Sequence, residues 1–169
     1  IINNGKVIEV MDHIKSLGHN IILRPHPITV RKSNDIINKI ISRYKDYSNF
    51  KYEPNTDSNQ TLFKSDVLIS DWSGVAYEFA FALKKPVLFI DTPRKIKNID
   101  YDKIGLDSFE VYGRQMVGEF FDPKKEYDLK NINTIHDDQI KKNIFSLGKS
   151  TDVAHTYIYN FMKQWEYFF

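Results

Sequence analysis

The 169-residue sequence contains no cysteine, which excludes disulfides, thiolate metal centres and cysteine nucleophiles together and is compatible with a reducing compartment. An excess of one charge is equally absent. Lys plus Arg total 24 against 22 Asp plus Glu, a formal charge of +2, so there is no basic field to argue for nucleic acid or an anionic membrane. No apolar run approaches the ~18 to 20 residues of a membrane span, and the N-terminus lacks the basic-then-apolar order of a signal peptide. Internal repeats and low-complexity tracts are missing too. What remains is 41% hydrophobic and 27% charged, the composition of one globular domain over residues 1–169. The chain opens on Ile1-Ile2-Asn3-Asn4, which reads as the tail of an element begun earlier, so a piece of a longer protein is expected.

Val7, Ile8, Val10, Met11, Ile14 and Leu17 recur at helical spacing up to Gly18, predicting a helix over 5–17 with a glycine stop. Ile21-Ile22-Leu23 then reads as a strand buried on both faces, stopped by Pro25 and Pro27. Ile36, Ile37, Ile40, Ile41 and Tyr44 form the next helical stripe, and Phe50 to Glu53 a brief strand before the turn-rich Pro54-Asn55-Thr56-Asp57. A short helix over 59–64 leads to a strand at Val67-Leu68-Ile69, a helix over 75–83 and a strand at Val87 to Ile90. This alternation predicts an α/β fold, a Rossmann-like parallel sheet with helices on both faces. Residues 95–135 read as a polar excursion tethered by a turn at Phe120-Phe121-Asp122-Pro123. A helix from Asp137 to Leu147 follows, then one capped by Thr151 with Val153, Tyr157, Phe161 and Trp165 as an apolar stripe that should pack.

In parallel sheets ligands sit beyond the carboxyl ends of the strands. There the sequence places Arg24 to Pro27, Ser70 to Gly74 and Asp91 to Arg94. Ser70-Asp71-Trp72-Ser73-Gly74 joins a buried strand to a helix start, where free amides, the Ser73 hydroxyl and a side-chain-free Gly74 suit a phosphate. The competing reading is that Asp71 or Ser73 simply caps the helix. Arg24-Pro25-His26-Pro27 sets a guanidinium and an imidazole at a neighbouring strand end, their directions restricted by proline. His26 could donate to a phosphate and assist its departure as a leaving group, or be a turn histidine satisfied by backbone. Glu78, amid apolar neighbours, needs a partner, either a ribose hydroxyl or Lys84 or Lys85. Thr92 and Arg94 follow the last strand, where Arg94 reaches a phosphate or is solvated.

Ile22-Leu23-Arg24-Pro25-His26-Pro27, followed by the stretch from Lys64 to Asp91 with its Ser-Asp-Trp-Ser-Gly loop, resembles the donor-binding half of the CDP-glycerol glycerophosphotransferases. These polymerise or prime teichoic-acid-like and capsular polymers. The resemblance covers roughly residues 5–92 and is expected to extend to the terminal helices. It implies the C-terminal domain of a GT-B type transferase, two Rossmann-like domains facing across a cleft. It also implies that His26, Ser73 and Gly74 contact the donor diphosphate, with Arg24 adding charge, Asp71 in the same loop and His26 acting in catalysis; location alone adds Arg94 to the diphosphate and Trp72, Glu78 and Thr92 as support for the ribose or the loop. Trp72 and Gly74 stand where the family commonly has Tyr and a second Ser, which removes one hydroxyl contact. The family's acceptor-side domain, with its own histidine, has no counterpart here, so the chain alone is expected to bind without turnover.

The implied partners are a cytidine-linked donor and a polymer or lipid-linked acceptor, with no nucleic acid, no cofactor and no metal. The implied place is the cytoplasm, with peripheral contact at the inner face of the plasma membrane. A related His-Pro and Ser-rich pairing occurs in bacterial sialyltransferases and capsule-export sugar transferases, so a CMP- or UDP-sugar transferase or an epimerase is the alternative. A non-catalytic interaction module is the alternative of another class. Gly148-Lys149-Ser150 echoes a phosphate loop, but Asn143 stands where its first glycine belongs, so a helix break is expected. Asp100-Tyr101-Asp102 follows a lysine-rich loop where a metal-binding pair needs a strand, and His13, His19, His136 and His155 lack ligand spacing.

Overall fold

The computed structural model describes residues 5–55, 58–94, 96, 98–105, 107–128, 131–132 and 134–165. The expected opening at Ile1 to Asn4, the Thr56-Asp57 half of the turn and the Trp165 side chain lie outside the described residues. The chain divides into two units, Ile1–Thr134 and Ile135–Phe169.

In the first unit, α1 (Lys6–Ser16) buries Val7, Val10, Met11 and Ile14 along one face. Gly18 beyond it sits at φ 77, the left-handed conformation that reverses the chain at least cost to glycine. β1 (Ile21–Leu23) follows, then α2 (Pro27–Lys32), α3 (Asn34–Tyr44) and β2 (Phe50–Tyr52), which pairs in parallel with β1 at Ile21↔Phe50 and Leu23↔Tyr52. Tyr44 locks α3 to α1. Its hydroxyl donates to the Ile8 carbonyl at 3.1 Å and to Asp12 at 2.8 Å, and burial pushes its pKa up to about 12. Arg43 holds the Asp12 carboxyl below its ordinary range.

After α4 (Gln60–Lys64) come β3 (Leu68–Ser70), α5 (Val75–Leu83) and β4 (Val87–Phe89), then α6 (Tyr101–Ile104), α7 (Phe109–Val117) and β5 (Gly118–Phe120). β3, β4 and β5 form a second parallel sheet in that order. The expected sheet is thus two hydrogen-bonded segments sharing one core. Ile69 of β3 packs against the cluster that holds Ile21, Ile40, Tyr44 and Ile90.

The alternation of side chains along β4 shows helices on both faces. Ile90, just past the strand, packs with α1, while Leu88 packs with Tyr127 and Ile132. The Phe89 ring, on the other face, lies 6.4 Å from Tyr77 of α5. β4 is buried at all three positions. β1 is not: Ile22 is 40% exposed, because α1 and α3 cover one face of the β1–β2 pair and leave the other open.

Residues 95–135 were expected as an excursion and instead supply α6, α7 and β5. Phe120 ends a strand and the Phe121 N–H bonds the Phe89 carbonyl at 2.8 Å. Two glycines make this possible. A Cβ on Gly113 would meet Phe109 and Tyr77 ring carbons at 2.9 Å, so its absence admits both rings. A Cβ on Gly118 would fall on the Val87 carbonyl.

The second unit holds α8 (Asp137–Asn143), shorter than expected, and α9 (Ser150–Trp165). Gly148 at φ 75 occupies the break between them. Val153, Tyr157 and Phe161 of α9, expected to pack, are exposed. Among the described residues no helix is long and apolar enough to cross a membrane.

Candidate functional site

The N-terminus of α1 marks the working edge of both sheets. Lys6 there donates to the Asp91 carbonyl beyond β4, and α1 runs back from that point before β1 returns, so the carboxyl ends of β1 and β4 lie at one edge. The loops headed by Arg24, Ser70 and Asp91 leave from it.

His26 is the N-cap of α2, with Pro27 in the first helical position where a missing N–H costs nothing. Its Nδ1 accepts from the Ile28 N–H at 3.1 Å. With Nδ1 an acceptor, the neutral ring carries its proton on Nε2, a donor on an exposed side chain. The prolines therefore start a helix here as well as ending β1, and the bland and functional readings of His26 use different nitrogens.

Arg24 is turned to the next strand. Its Nη1 lies 3.7 Å from Glu53 Oε2, with 14% and 19% of the two side chains exposed. Thr61 donates to Glu53 at 2.6 Å and, with the charges of Lys51 and Arg24, holds its carboxyl below the ordinary value. Because the folded pKa is the lower one, this stability is complete above the unfolded pKa and is lost as pH falls through the folded value. Thermal midpoints should therefore fall as pH is lowered below about 4.5, and the slope should flatten in Glu53→Gln. An unchanged slope would show that the pair contributes nothing.

In the second loop, Gly74 is the N-cap of α5 at φ −58 and ψ −30, and a Cβ there would meet nothing within 4 Å. Neither conformation nor packing demands glycine. The N–H groups of Gly74 and Val75 precede the first intrahelical bonds and find no acceptor among the described residues, and the Ser73 carbonyl takes the Ala76 N–H at 3.1 Å. Neither Ser73 nor Asp71 caps α5 at its N-cap position. Gly74→Ala should leave thermal stability within about 0.5 kcal/mol of wild type while weakening phosphate binding. Calorimetry on the variant checks both, and undiminished binding would remove Gly74 from the site.

Trp72 supports the loop from beneath. Its Nε1 donates to the carbonyl of buried Thr92 at 2.9 Å, tying the loop after β3 to the one after β4. Arg94 lies over the Tyr101 ring at 4.2 Å, donates to the Tyr101 hydroxyl and reaches Asp107 at 3.4 Å. It is engaged with the first residue of α6 and with the segment beyond that helix. Glu78 corrects an expectation: it is exposed, on a stripe with Gly74 and Ala82, so no desolvation compels a partner. Lys85 instead bonds the carbonyls of Phe63 and Ser65 at 2.7 Å.

The residue that motif reading missed is Arg114 of α7, 2% exposed, with its guanidinium 4.1 Å from the Trp72 ring. The rejected candidates have structural roles. Asp100 pairs with Lys103 at 2.8 Å, and His13 packs edge-on against Phe121 and Tyr127. Among the described residues no three His, Asp or Glu side chains gather as metal ligands.

The two loops and the strands that carry them fall inside the segment, residues 8–95, matched by the model of the CDP-glycerol:poly(glycerophosphate) glycerophosphotransferase family. The chain belongs to that family. It is also similar to the minor teichoic acid biosynthesis protein GgaB of Bacillus subtilis (strain 168), 27% identical over 157 residues. That alignment takes in 90% of the chain but 15% of the relative's own length. No solved structure gives a significant match. The matched segment runs from within α1 past β1 and β4 to the first residues beyond β4.

Proposed function

We propose that this chain binds the donor of a transferase that moves glycerol phosphate from CDP-glycerol onto a cell-wall polymer, as the donor half of a GT-B type enzyme. The observation that carries the reading is the pairing, at one sheet edge, of an exposed His26 whose Nε2 is left as a donor with a helix start whose glycine opens on free space. A diphosphate carries the charge that both would meet.

In the reaction an acceptor hydroxyl attacks the phosphorus bearing glycerol. The bond from that phosphorus to the bridging oxygen breaks, and CMP leaves with the electron pair. Charge grows on the bridging and α-phosphate oxygens. A hydrogen bond donated by His26 Nε2–H, together with those of the Gly74 and Val75 amides, would stabilise that charge as it develops. Trp72 holds the amides in place through the Thr92 carbonyl. Deprotonation of the acceptor falls to groups outside this chain. A nucleotide-linked donor places the step on the cytoplasmic side, with a polymer or lipid-linked acceptor brought to it at the membrane's inner face.

Calorimetric titration with CDP, CMP, UDP and ADP tests the reading. Tightest binding of CDP is expected. A preference for UDP would turn the assignment to a sugar transferase or epimerase, and binding of none by the folded protein would leave an interaction module.

A further inference from the structure

Arg114 carries a full charge into the interior and has no ion pair among the described residues. Its guanidinium lies 4.1 Å from the Trp72 ring, 4.6 Å from Phe120 and 4.9 Å from Phe89, and its Nη2 donates to the Ile90 carbonyl at 3.1 Å. Its Nε has no partner among the described residues. Burial lowers its pKa, and the carboxylate charges that oppose this belong to Asp91 and Asp71. Both acids lie in loops of the working edge.

A buried, unpaired cation is a poor way to fill an aromatic box. An apolar side chain of similar size would occupy it without the desolvation cost, and such replacements are often neutral or stabilising. Packing therefore leaves the charge itself unexplained. Its place suggests a use: it stacks on the indole that holds the Ser-Asp-Trp-Ser-Gly loop, and in a water-poor setting its field reaches further than that of a surface arginine.

We propose that Arg114 is a positioning residue for the donor diphosphate, fixing the loop through Trp72 and supplying buried positive charge beneath it. This rests on the donor-binding reading above. The stacked, planar guanidinium fixes the indole, the indole N–H fixes the Thr92 carbonyl, and the loop that leads into α5 is held against the one after β4. The charge favours the phosphates over the nucleoside. An arginine rather than a lysine suits the role because a planar cation can stack on several rings while donating from its edge.

The test is NMR-monitored titration, which follows weak as well as tight binding, of wild type, Arg114→Met, Arg114→Gln and Arg114→Lys with CDP and with cytidine. Arg114→Met and Arg114→Gln are expected to bind CDP about tenfold more weakly, the scale of one charge acting through protein-like screening, with cytidine unchanged. Arg114→Lys should recover part of the CDP affinity. Arg114→Gln keeps a donor for the Ile90 carbonyl and decides the question by the same criterion should Arg114→Met fail to fold. CDP and cytidine weakened by one factor would show a scaffold role only and overturn the proposal, as would CDP binding that is untouched by loss of the charge. Wild type that binds no cytidine compound would overturn the donor-binding reading itself, and this inference with it.

Discussion

Gly118→Ala should destabilise the first unit by about 3 kcal/mol, seen as a fall of roughly 10 °C in the thermal midpoint. Gly118 opens β5 opposite Val87 of β4, and an added Cβ would lie on the Val87 carbonyl oxygen and 2.9 Å from its carbon. The obstacle is backbone in the middle of a parallel sheet, so no rotamer change relieves it. Backbone preference is not involved, since φ −173 is extended conformation open to any residue. One strand must move away, and with it Phe120, which stacks on Arg114, and Phe121, which packs against His13. Gly74→Ala, which meets only open space, is the matched control. Equal midpoints for the two variants would show that β5 does not sit against β4 as described.

His26→Ala should weaken CDP binding by 10- to 100-fold, the loss of a charge-assisted hydrogen bond of about 1.5 to 3 kcal/mol. The variant also loses the cap on α2, about 1 kcal/mol of local stability. Because the cap uses Nδ1 and the proposed phosphate contact uses Nε2, the two effects separate. His26→Asn supplies a side-chain oxygen for the Ile28 N–H but no donor at the Nε2 position. It should regain the midpoint and remain weak toward CDP. Recovery of both together would mean that His26 serves the fold alone.

The parts of the fold legible in the sequence are those where apolar runs or helical stripes stand alone. Ile21 to Leu23 and Val87 to Phe89 are recognisable strands, and the α1 and α3 stripes bury Val7, Val10, Met11 and Ile14 and Ile37, Ile40 and Tyr44, with Ile8, Leu17, Ile36 and Ile41 half-buried at their margins. β5 was illegible because Gly-Glu-Phe is too short to alternate, and its reason for being a strand is the steric fit of Gly118 against Val87. α7 was hidden by Gly113, which replaces the apolar residue expected in its stripe with space for two rings. α2 was hidden by Pro27, which reads as a stop after β1 but serves as the first residue of a helix.

At the site, the motifs marked His26 and Gly74 because both chemistry and position are local to the chain. Arg114 carries no motif. Its one signal is helical position, three residues before buried Val117, where a cation on the inward face is unexpected. Glu78 failed the opposite way. Apolar neighbours in sequence suggested burial, yet α5 keeps an exposed stripe along which Glu78 lies. The engagement of Arg24 with Glu53 and of Arg94 with Tyr101 and Asp107 depends on loops brought together only by folding.

The most direct measurement is an amide-resolved NMR titration of the protein with CDP. If a diphosphate sits between the His26 loop and the start of α5, the largest shifts will fall on the amides of Ile28, Ser73, Gly74, Val75 and Ala76, with smaller ones at the Trp72 indole N–H. Shifts confined to α9, or none at saturating CDP, would contradict a donor site at this edge of the sheet.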